Sequence, residues 1–221
     1  MEPNRRRDRE KVERRSRILA AAERAFLAQG FTETTMDTIA SEAEFTKRTV
    51  YQYFRCKEDI LFEVAAGLLV RLNLRVHEAV DDGTSARDRL QDFAARFYRA
   101  IADRPQESAL MDAALALRSA RRGKEQSESA SSASLAILND HLGALYASFV
   151  DAVAAGVADG SLRKDLDPVD AAFAVFFLIK SFLAFVAAGE SRLTAANGRT
   201  GDELALSALA LAIAGMRPGG E

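Results

Sequence analysis

The chain has very little cysteine, histidine or proline, and each shortage excludes a class of structure. Its 221 residues include one Cys, two His, four Pro and no Trp. The single thiol, Cys56, forms no internal disulfide and is typical of a reducing compartment. One Cys and two distant His, His77 and His141, do not make a metal site. The scarcity of Pro, with long runs rich in Ala, Leu and Phe, favours helices over strands.

Sequence motifs of enzymes are lacking as well. We find no Gly-x-Ser-x-Gly, no P-loop, no dinucleotide fingerprint and no His-Glu-x-x-His. We therefore predict that the chain is not an enzyme and uses no cofactor. Its first residues, MEPNRRR, have no apolar segment after the charges. Because this pattern is not that of a secretion signal, we expect a cytoplasmic protein.

One long apolar run needs a membrane test. Residues 171–188 (AAFAVFFLIKSFLAFVAA) are close to the shortest length that spans a bilayer. Lys180 lies at the middle of this run, where a Lys costs about 2.5–3.5 kcal/mol. A helix that is apolar on nearly every side can instead be buried between two protein surfaces. We therefore expect no membrane association.

Charge is distributed unevenly along the chain. The net charge of −2 alone argues against binding to nucleic acid. Residues 1–57, however, hold 13 Lys and Arg against 9 Asp and Glu, a balance of +4, which leaves −6 for residues 58–221. A basic part on an acidic body attracts DNA with one face and repels it with the rest. A solvated charged tail would explain the basic residues before position 17, but not the patterned segment after them.

Apolar residues at helical spacing predict three helices in residues 16–57. The residues expected to face inward are Ile18, Ala22 and Phe26 in the first, Ile39 and Ala43 in the second, and Val50 and Phe54 in the third. The first ends at Gly30, which we expect in the left-handed conformation that closes many helices. Thr35 and Thr46 are good N-cap residues for two short helices. The few residues between these two helices have the length of a helix-turn-helix turn.

The remaining chain predicts an all-α fold with a second helical part. About six further helices follow, the first from about residue 57 to residue 80, and the polar segment 121–134 is expected to be a loop or a frayed helix start. Asp167 before Pro168, and a capping box of Thr200 and Glu203, are expected to begin the last two helices. We divide the chain into a flexible basic arm (1–15), a helix-turn-helix DNA-binding domain (16–57) and a ligand-binding and dimerisation domain formed by a helical bundle (58–221).

The segment at residues 31–61 resembles the DNA-binding domain of the TetR family of transcriptional repressors. The resemblance is specific over residues 16–61 and weaker beyond, where it is carried by helix count, the run 159–168 and two apolar helices at the end. Glu44 occupies a turn position where the family usually has Gly, so either Glu44 takes a positive φ at some cost or the turn closes differently. The matching positions are Gly30, Phe31, Thr34, Thr35, Ala40, Ala43, Thr46, Tyr51, Tyr53, Phe54 and Lys57.

The resemblance implies that the third helix enters the major groove of DNA. Early outward residues of such a helix reach base edges, and Arg48 could bond guanine bidentately. Thr35 and Lys57, at helix starts, are expected to hold phosphates. The alternatives are that Lys47 and Arg48 are ordinary solvent-exposed residues and that Tyr53 mainly packs against other side chains of the domain. The complete set of expected DNA contacts is Thr35, Thr46, Lys47, Arg48, Thr49, Tyr51, Gln52, Tyr53 and Lys57.

The last two apolar helices predict a homodimer. Helices at about 168–188 and 202–216 are richer in apolar residues than one core requires, and two copies of each would form a four-helix bundle as in the family. The alternative is that both helices are buried within one subunit. A two-fold axis would place two recognition helices about 34–36 Å apart, so the double-stranded DNA operator should be a pseudo-palindrome.

The resemblance also implies a pocket for a small-molecule effector whose binding is passed to the DNA through the fourth helix. Each candidate could equally be an ordinary core residue. The competing function is that of a DNA-binding activator or architectural protein without an effector. We regard Cys56 as structural or incidental. The candidate lining residues are Phe93, Phe97, Met111, Leu115, His141, Leu142, Tyr146, Phe149, Phe177 and Lys180.

Overall fold

The computed structural model describes residues 3–77, 84–122, 133–188 and 198–218, and side chains from residue 6 onwards. These residues contain helices and no strand, as the all-α prediction requires. The polar segment expected as a loop lies mainly outside the described residues, and so does the predicted end of the fourth helix near residue 80. The helices are α1 (Pro3–Glu33), α2 (Met36–Glu42), α3 (Lys47–Tyr51), α4 (Lys57–His77), α5 (Ala86–Ala102), α6 (Pro105–Arg122), α7 (Ala133–Ala158), α8 (Pro168–Ala187) and α9 (Gly201–Ala214).

The chain divides into two compact units. The first contains Met1–Val70 and Pro105–Leu142, and the second contains Arg71–Arg104 and Gly143–Glu221. The first unit therefore adds part of α4, α6 and the first turns of α7 to the three N-terminal helices. The boundary predicted at residue 57 is a division by function and stays a proposal.

The core of the first unit forms where α1 packs on α2 and α6, and α2 packs on α3. The residues that were predicted to face inward are buried there. Ile18, Ala22 and Ile39 are fully buried, and so is Val50 of α3. Phe54, just after α3, is 2% exposed. The helical spacing of apolar residues thus located this core correctly.

The N-terminal segment differs from its prediction. Residues 3–15 were expected as part of a flexible arm without regular structure, but α1 begins at Pro3. The segment has no apolar periodicity, and its residues 6–14 are exposed. Its Arg, Lys and Glu residues are nevertheless good helix formers, and Arg6 pairs with Glu10 one turn later at 3.1 Å. A helix already packed at Ile18 therefore extends backwards through the charged residues.

Gly30 also differs in part from its prediction. Its φ of 83° is positive as expected, but its ψ of 162° is extended rather than left-handed helical. Gly30 therefore interrupts the helical backbone of α1 as expected, and a short helical segment on the far side of this kink runs to Glu33. The buried Thr34 holds the bend, because its hydroxyl donates to the carbonyl of Gly30 at 2.7 Å.

Helix caps predicted from sequence are present. Asp167 Oδ1 accepts from the N–H groups of Val169 and Asp170 at 2.8 and 3.0 Å, with Pro168 at the first position of α8. Thr200 and Glu203 form a capping box at the start of α9. Side-chain oxygens that satisfy the first N–H groups set where each helix begins.

The second unit is organised by the loop between α7 and α8. Asp159 Oδ2 accepts from the N–H of Ala86 at 2.8 Å, and Ser161 Oγ accepts from the N–H of Arg87 at 3.0 Å. These oxygens cap the start of α5. Hydrogen bonds from the side chain of Ser161, and then from the backbone N–H groups of Ala86 and Ser161, hold the pKa of Asp159 below its usual range. The N–H of Arg163 donates to the carbonyl of Met216 at 2.9 Å, beyond the end of α9. The run 159–168 thus joins the start of α5 to the end of α9.

A buried tyrosine makes a second link between α5 and α9. The Tyr98 hydroxyl donates to Asp202 Oδ1 at 2.6 Å, and Tyr98 is fully buried. Burial, and then the neighbouring carboxylate, raise the pKa of Tyr98, so the phenol stays protonated at neutral pH.

α7 and α8 have the length and composition of membrane-crossing helices, with mean hydropathies of 1.3 and 2.1. Core helices of soluble proteins have the same properties, so this resemblance is weak evidence. α8 buries one side, including Val175 and Ile179, against its own unit, while Phe177 on the other side is 62% exposed. α8 is therefore a core helix with a second apolar face.

Candidate nucleic-acid interface

The helix starts of α2 and α3 are built in the same way. Thr35 Oγ1 accepts from the N–H of Thr38 at 3.1 Å, and the two hydroxyls are 2.9 Å apart. Thr46 and Thr49 repeat this arrangement at 3.2 and 2.9 Å. The sequence predicted both caps but missed Thr38, for which the recurring Thr-x-x-Thr spacing is the available signal. Both helix starts are thereby defined by local hydrogen bonds.

The turn between α2 and α3 contains a strained residue. Glu44 has a φ of 59°, which answers the question left open by the sequence: Glu44 takes the left-handed conformation. That conformation costs about 1–2 kcal/mol for a residue other than Gly. Arg17 of α1 holds the turn, because its guanidinium donates to the carbonyl of Ala43 at 3.2 Å and to Glu44 Oε2 at 2.9 Å. The guanidinium also lies 4.8 Å from the ring centroid of Phe45.

α3 separates an apolar side from a polar side. Val50 and Phe54 are buried, whereas Lys47, Arg48 and Gln52 are exposed. Tyr51 is exposed to 48%. Thr49 and Tyr53 are half-buried, so packing accounts for part of the surface of Tyr53. The helix therefore presents several polar side chains on one accessible face.

The two basic residues at the start of α3 differ in their partners. Lys47 Nζ lies 2.7 Å from Asp37 Oδ2 of α2. The hydrogen bond to Asp37, followed by the charge of that carboxylate, raises the pKa of Lys47. Both side chains are largely exposed, and such pairs contribute little to stability. Arg48, by contrast, has no hydrogen bond or ion pair to any residue that the structure describes.

Lys57 is held inside the first unit. Its ammonium donates to the carbonyls of Phe31, Thr32 and Thr34 at 2.7, 3.1 and 2.6 Å and lies 4.4 Å from the ring centroid of Phe31. A lysine has three N–H donors, and three carbonyls accept from this one. This geometry does not favour the expected phosphate contact and makes Lys57 a clamp on the α1–α2 connection. The sequence could not reveal this role, because the carbonyls lie more than twenty residues away.

Cys56 lies beside this clamp and is half-buried. Burial is the main cause that raises the pKa of the Cys56 thiol. A thiol with a raised pKa is a poor nucleophile at neutral pH. This environment agrees with a structural or incidental role.

The expected ligand-lining residues fall into two groups. In the second unit, Phe93 and Phe97 contact Phe149 edge-on, with ring centroids 4.7 and 5.1 Å apart. Phe176, which the sequence analysis missed, contacts both Phe149 and Tyr146, at 6.0 and 5.0 Å. Its signal was the buried side of α8, since it follows Val175. We call Phe93, Phe97, Tyr146, Phe149 and Phe176 the aromatic cluster.

The other candidates lie outside this cluster. Phe177 is exposed, and its ring contacts those of Phe173 and Phe176 at the edge of the aromatic cluster. Lys180 is half-buried on α8. Met111, Leu115, His141 and Leu142 belong to the first unit, where Leu142 is buried and the others are half-buried. His77, also missed from the sequence, lies 5.4 Å from the Phe93 ring and 3.3 Å, Nε2 to Oγ, from Ser148.

Two short helices joined by a tight turn, with an exposed basic face at the start of the second, define a helix-turn-helix DNA-binding protein. The sequence profile described as "Bacterial regulatory proteins, tetR family" matches residues 18–64. The chain is 30% identical over 161 residues to the HTH-type transcriptional repressor KstR2 of Rhodococcus jostii, covering 72% of each chain. The chain belongs to the TetR family and is a transcriptional regulator.

Two further comparisons locate the similarity. An uncharacterised HTH-type transcriptional regulator of Bacillus subtilis, YhgD, is 34% identical over 70 residues, which are 32% of this chain and 37% of that protein. The chain thus matches well under half the length of this relative. The solved structure of the transcriptional regulator FadR from Bacillus subtilis, in complex with stearoyl-CoA, superimposes with a TM-score of 0.63 at 19% identity, covering 91% of this chain and 99% of that one. The fold similarity therefore extends over nearly the whole chain.

Replacing Lys57 by Met tests its role as a clamp. Loss of three charged hydrogen bonds should destabilise the protein by roughly 2–3 kcal/mol in urea unfolding, whereas the salt dependence of DNA binding should not change. A phosphate contact would instead lower the slope of log K against log salt by about 1. Lys47→Met, which removes an exposed lysine, is the matched control and should change stability by less than about 0.5 kcal/mol. Unchanged stability with a lower slope for Lys57→Met would refute the clamp.

Proposed function

We propose that the chain is a ligand-responsive repressor that binds a pseudo-palindromic DNA operator as a homodimer. The observation that carries this proposal is the two-sided α3, with Val50 and Phe54 buried and Arg48 exposed without an intramolecular partner among the described residues. Repression is supported by the similarity to KstR2, which is a transcriptional repressor by name. We retain residues 16–57 as the DNA-binding part and 58–221 as the ligand-binding and dimerisation part. We further propose a cytoplasmic regulator without enzymatic activity.

In this proposal the start of α3 reads bases. Arg48 bonds the O6 and N7 atoms of a guanine, with Lys47 and Thr49 beside it. The Lys47–Asp37 pair lies at the surface and can be exchanged for a DNA contact at small cost. Tyr51 and Gln52, which lie one turn further along α3 or just after it, contact bases or the DNA backbone. Thr35, Thr46 and Tyr53 contact phosphates where they are accessible, while Lys57 supports the site from inside.

The dimer is proposed to form through α8 and α9. Val169, Phe173 and Phe177 of α8 are 47%, 40% and 62% exposed, and Leu211 of α9 is 73% exposed. Large apolar side chains clustered at a surface mark association sites. A second copy covers both helices at once in a two-fold arrangement.

The proposed effector is a hydrophobic acyl-CoA. The aromatic cluster supplies an apolar lining of the kind that small-molecule sites use, and FadR, which shares the fold, was solved with stearoyl-CoA. His141 and Lys180 remain the polar groups proposed to orient the ligand, and Met111, Leu115 and Leu142 remain proposed lining residues. Release from DNA requires the ligand and DNA to prefer different conformations, with a coupling of about 1–3 kcal/mol.

The base-reading role predicts the behaviour of Arg48→Ala. An operator is first selected from random duplexes with the unaltered protein, and binding to all its single-base variants is then measured. Arg48→Ala should lose about 5- to 150-fold in affinity for the operator and lose preference at one base pair per half-site. Arg24→Ala, an exposed arginine of α1 paired with Glu42, is the control and should bind like the parent. Equal losses on every sequence would show that Arg48 reads no base.

The dimer proposal predicts that Phe177→Glu yields a monomer. Dimer formation would bury the new carboxylate at the centre of the apolar face without a cation to pair with it, which is unfavourable. Sedimentation velocity should therefore report half the mass of the dimer, while the helical circular dichroism is retained. Operator affinity should fall with the loss of the second half-site. Val12→Glu changes an equally exposed apolar residue of α1 (65% exposed) and should stay dimeric. A dimeric Phe177→Glu protein would place the interface elsewhere.

The effector proposal predicts stabilisation by stearoyl-CoA. A ligand at a hundred times its Kd stabilises the folded protein by about 2.7 kcal/mol, so the melting temperature should rise by a few degrees and bound operator should be released. Coenzyme A without the acyl chain is the control and should do neither. Intact operator binding with no response to stearoyl-CoA would contradict the effector class and favour a regulator without this ligand.

A further inference from the structure

Two buried acids lie one turn apart on α4. The side chains of Asp59 and Glu63 are 8% and 5% exposed, and their four-residue spacing puts them on the same face of the helix. We call them the α4 acid pair. Buried carboxylates are costly unless they are paired with cations or hydrogen-bonded, so their partners decide how α4 is held.

Glu63 is bound from two directions. Arg15 of α1 makes an ion pair with its carboxylate, and the buried Ser134, in the first turn of α7, donates a hydrogen bond to it. The same Arg15 guanidinium lies 4.7 Å from the ring centroid of Phe54. Glu63 is thereby connected to the residue that anchors the end of the recognition helix.

Asp59 is bound from α6. Arg121 Nη1 lies 3.5 Å from Asp59 Oδ1, and the guanidinium lies 5.1 Å from the ring centroid of Phe62. Its Nη2 is 3.6 Å from the sulfur of Cys56. These residues all belong to the first compact unit. Arg121 and Ser134 stand on either side of residues 123–132, so the end of α6 and the start of α7 both contact the α4 acid pair.

We infer that Asp59–Arg121 is a positioning pair for operator binding. Arg121 lies in the part of the chain assigned to ligand binding, whereas Asp59 lies two residues beyond the DNA-binding part. Through this pair, α6 holds the first turns of α4. Next to them, Lys57 clamps the α1–α2 connection, and the buried Phe54 anchors the end of the recognition helix. α6 thus influences operator affinity without touching DNA. The inference rests on the proposed function and adds the charged contact through which the ligand-binding helices act on it.

The physical reason is the burial of the Asp59 carboxylate. Without Arg121, no cation offsets the burial of the Asp59 carboxylate, and the first turn of α4 is expected to shift so that water reaches this group. Lys57 begins that turn and clamps the α1–α2 connection. A shift of α4 is therefore passed to α2 and α3, whose relative placement sets the fit to the groove.

The experiment compares Arg121→Gln with Arg118→Gln. Arg118 lies one turn earlier on α6 and donates to Asn139 of α7, so its change disturbs a different contact of the same helix. Arg121→Gln should weaken operator binding about fivefold or more, with base preference and salt slope unchanged, and should speed amide hydrogen exchange at residues 47–54. Arg118→Gln should leave both measurements as in the parent. Asp59→Asn combined with Arg121→Gln should restore most of the affinity, since no lone buried charge remains.

The outcomes separate this inference from its alternatives. Operator affinity within twofold of the parent, in a folded Arg121→Gln protein, would overturn it. Faster exchange confined to α6 and α7 would also overturn it, because Arg121 would then be merely structural. If Arg121→Gln does not fold, Arg121→Lys replaces it. A lysine keeps the charge but not the forked guanidinium contact, so the loss of affinity should be smaller, and amide exchange at residues 47–54 that matches the parent would overturn the inference. If the parent protein binds no duplex, the proposed function fails, and exchange at residues 47–54 still decides whether α6 positions α3.

Discussion

α3 is only five residues long, far below the length at which an isolated helix is stable in water. It exists because Val50 and Phe54 are buried in the first unit, where α3 packs on α2, so that tertiary packing supplies the free energy that the helix itself lacks. The side chains of α3 that are proposed to reach DNA depend on this burial. Because the apolar side of α3 is buried, its opposite side faces solvent.

Charged contacts complete the same unit, and they change how its charge should be understood. The N-terminal part has an excess of basic residues, which suggests a surface ready for DNA. In the structure, however, several of these cations are engaged: Arg17 holds the strained turn, Lys57 holds the α1–α2 connection and Arg15 neutralises Glu63. Net charge therefore overstates the charge available to phosphate.

The second unit is held together mainly by aromatic packing rather than by charged contacts. Aromatic rings fill the space between α5, α7 and α8, while α8 and α9 keep further apolar side chains at the surface. The loop 159–163 and the Tyr98–Asp202 hydrogen bond attach α5 to both ends of α9. A ligand that displaces rings at α5 acts on elements that are connected to the proposed dimer helix by hydrogen bonds.

Local patterns in the sequence determined the helical class, the caps at Thr35, Thr46, Asp167 and Thr200, and the apolar side of α3, because capping and helical periodicity depend on neighbours a few residues away. For residues 3–15, the lack of apolar periodicity predicted no helix, whereas α1 begins at Pro3, since the Arg, Lys and Glu residues of this segment are good helix formers. Local patterns could not locate the partners of Lys57, Arg17 or the α4 acid pair. Those partners lie between 23 and 71 residues away in sequence, and only the folding of α1, α2, α4, α6 and α7 onto one another brings the charges within hydrogen-bonding distance.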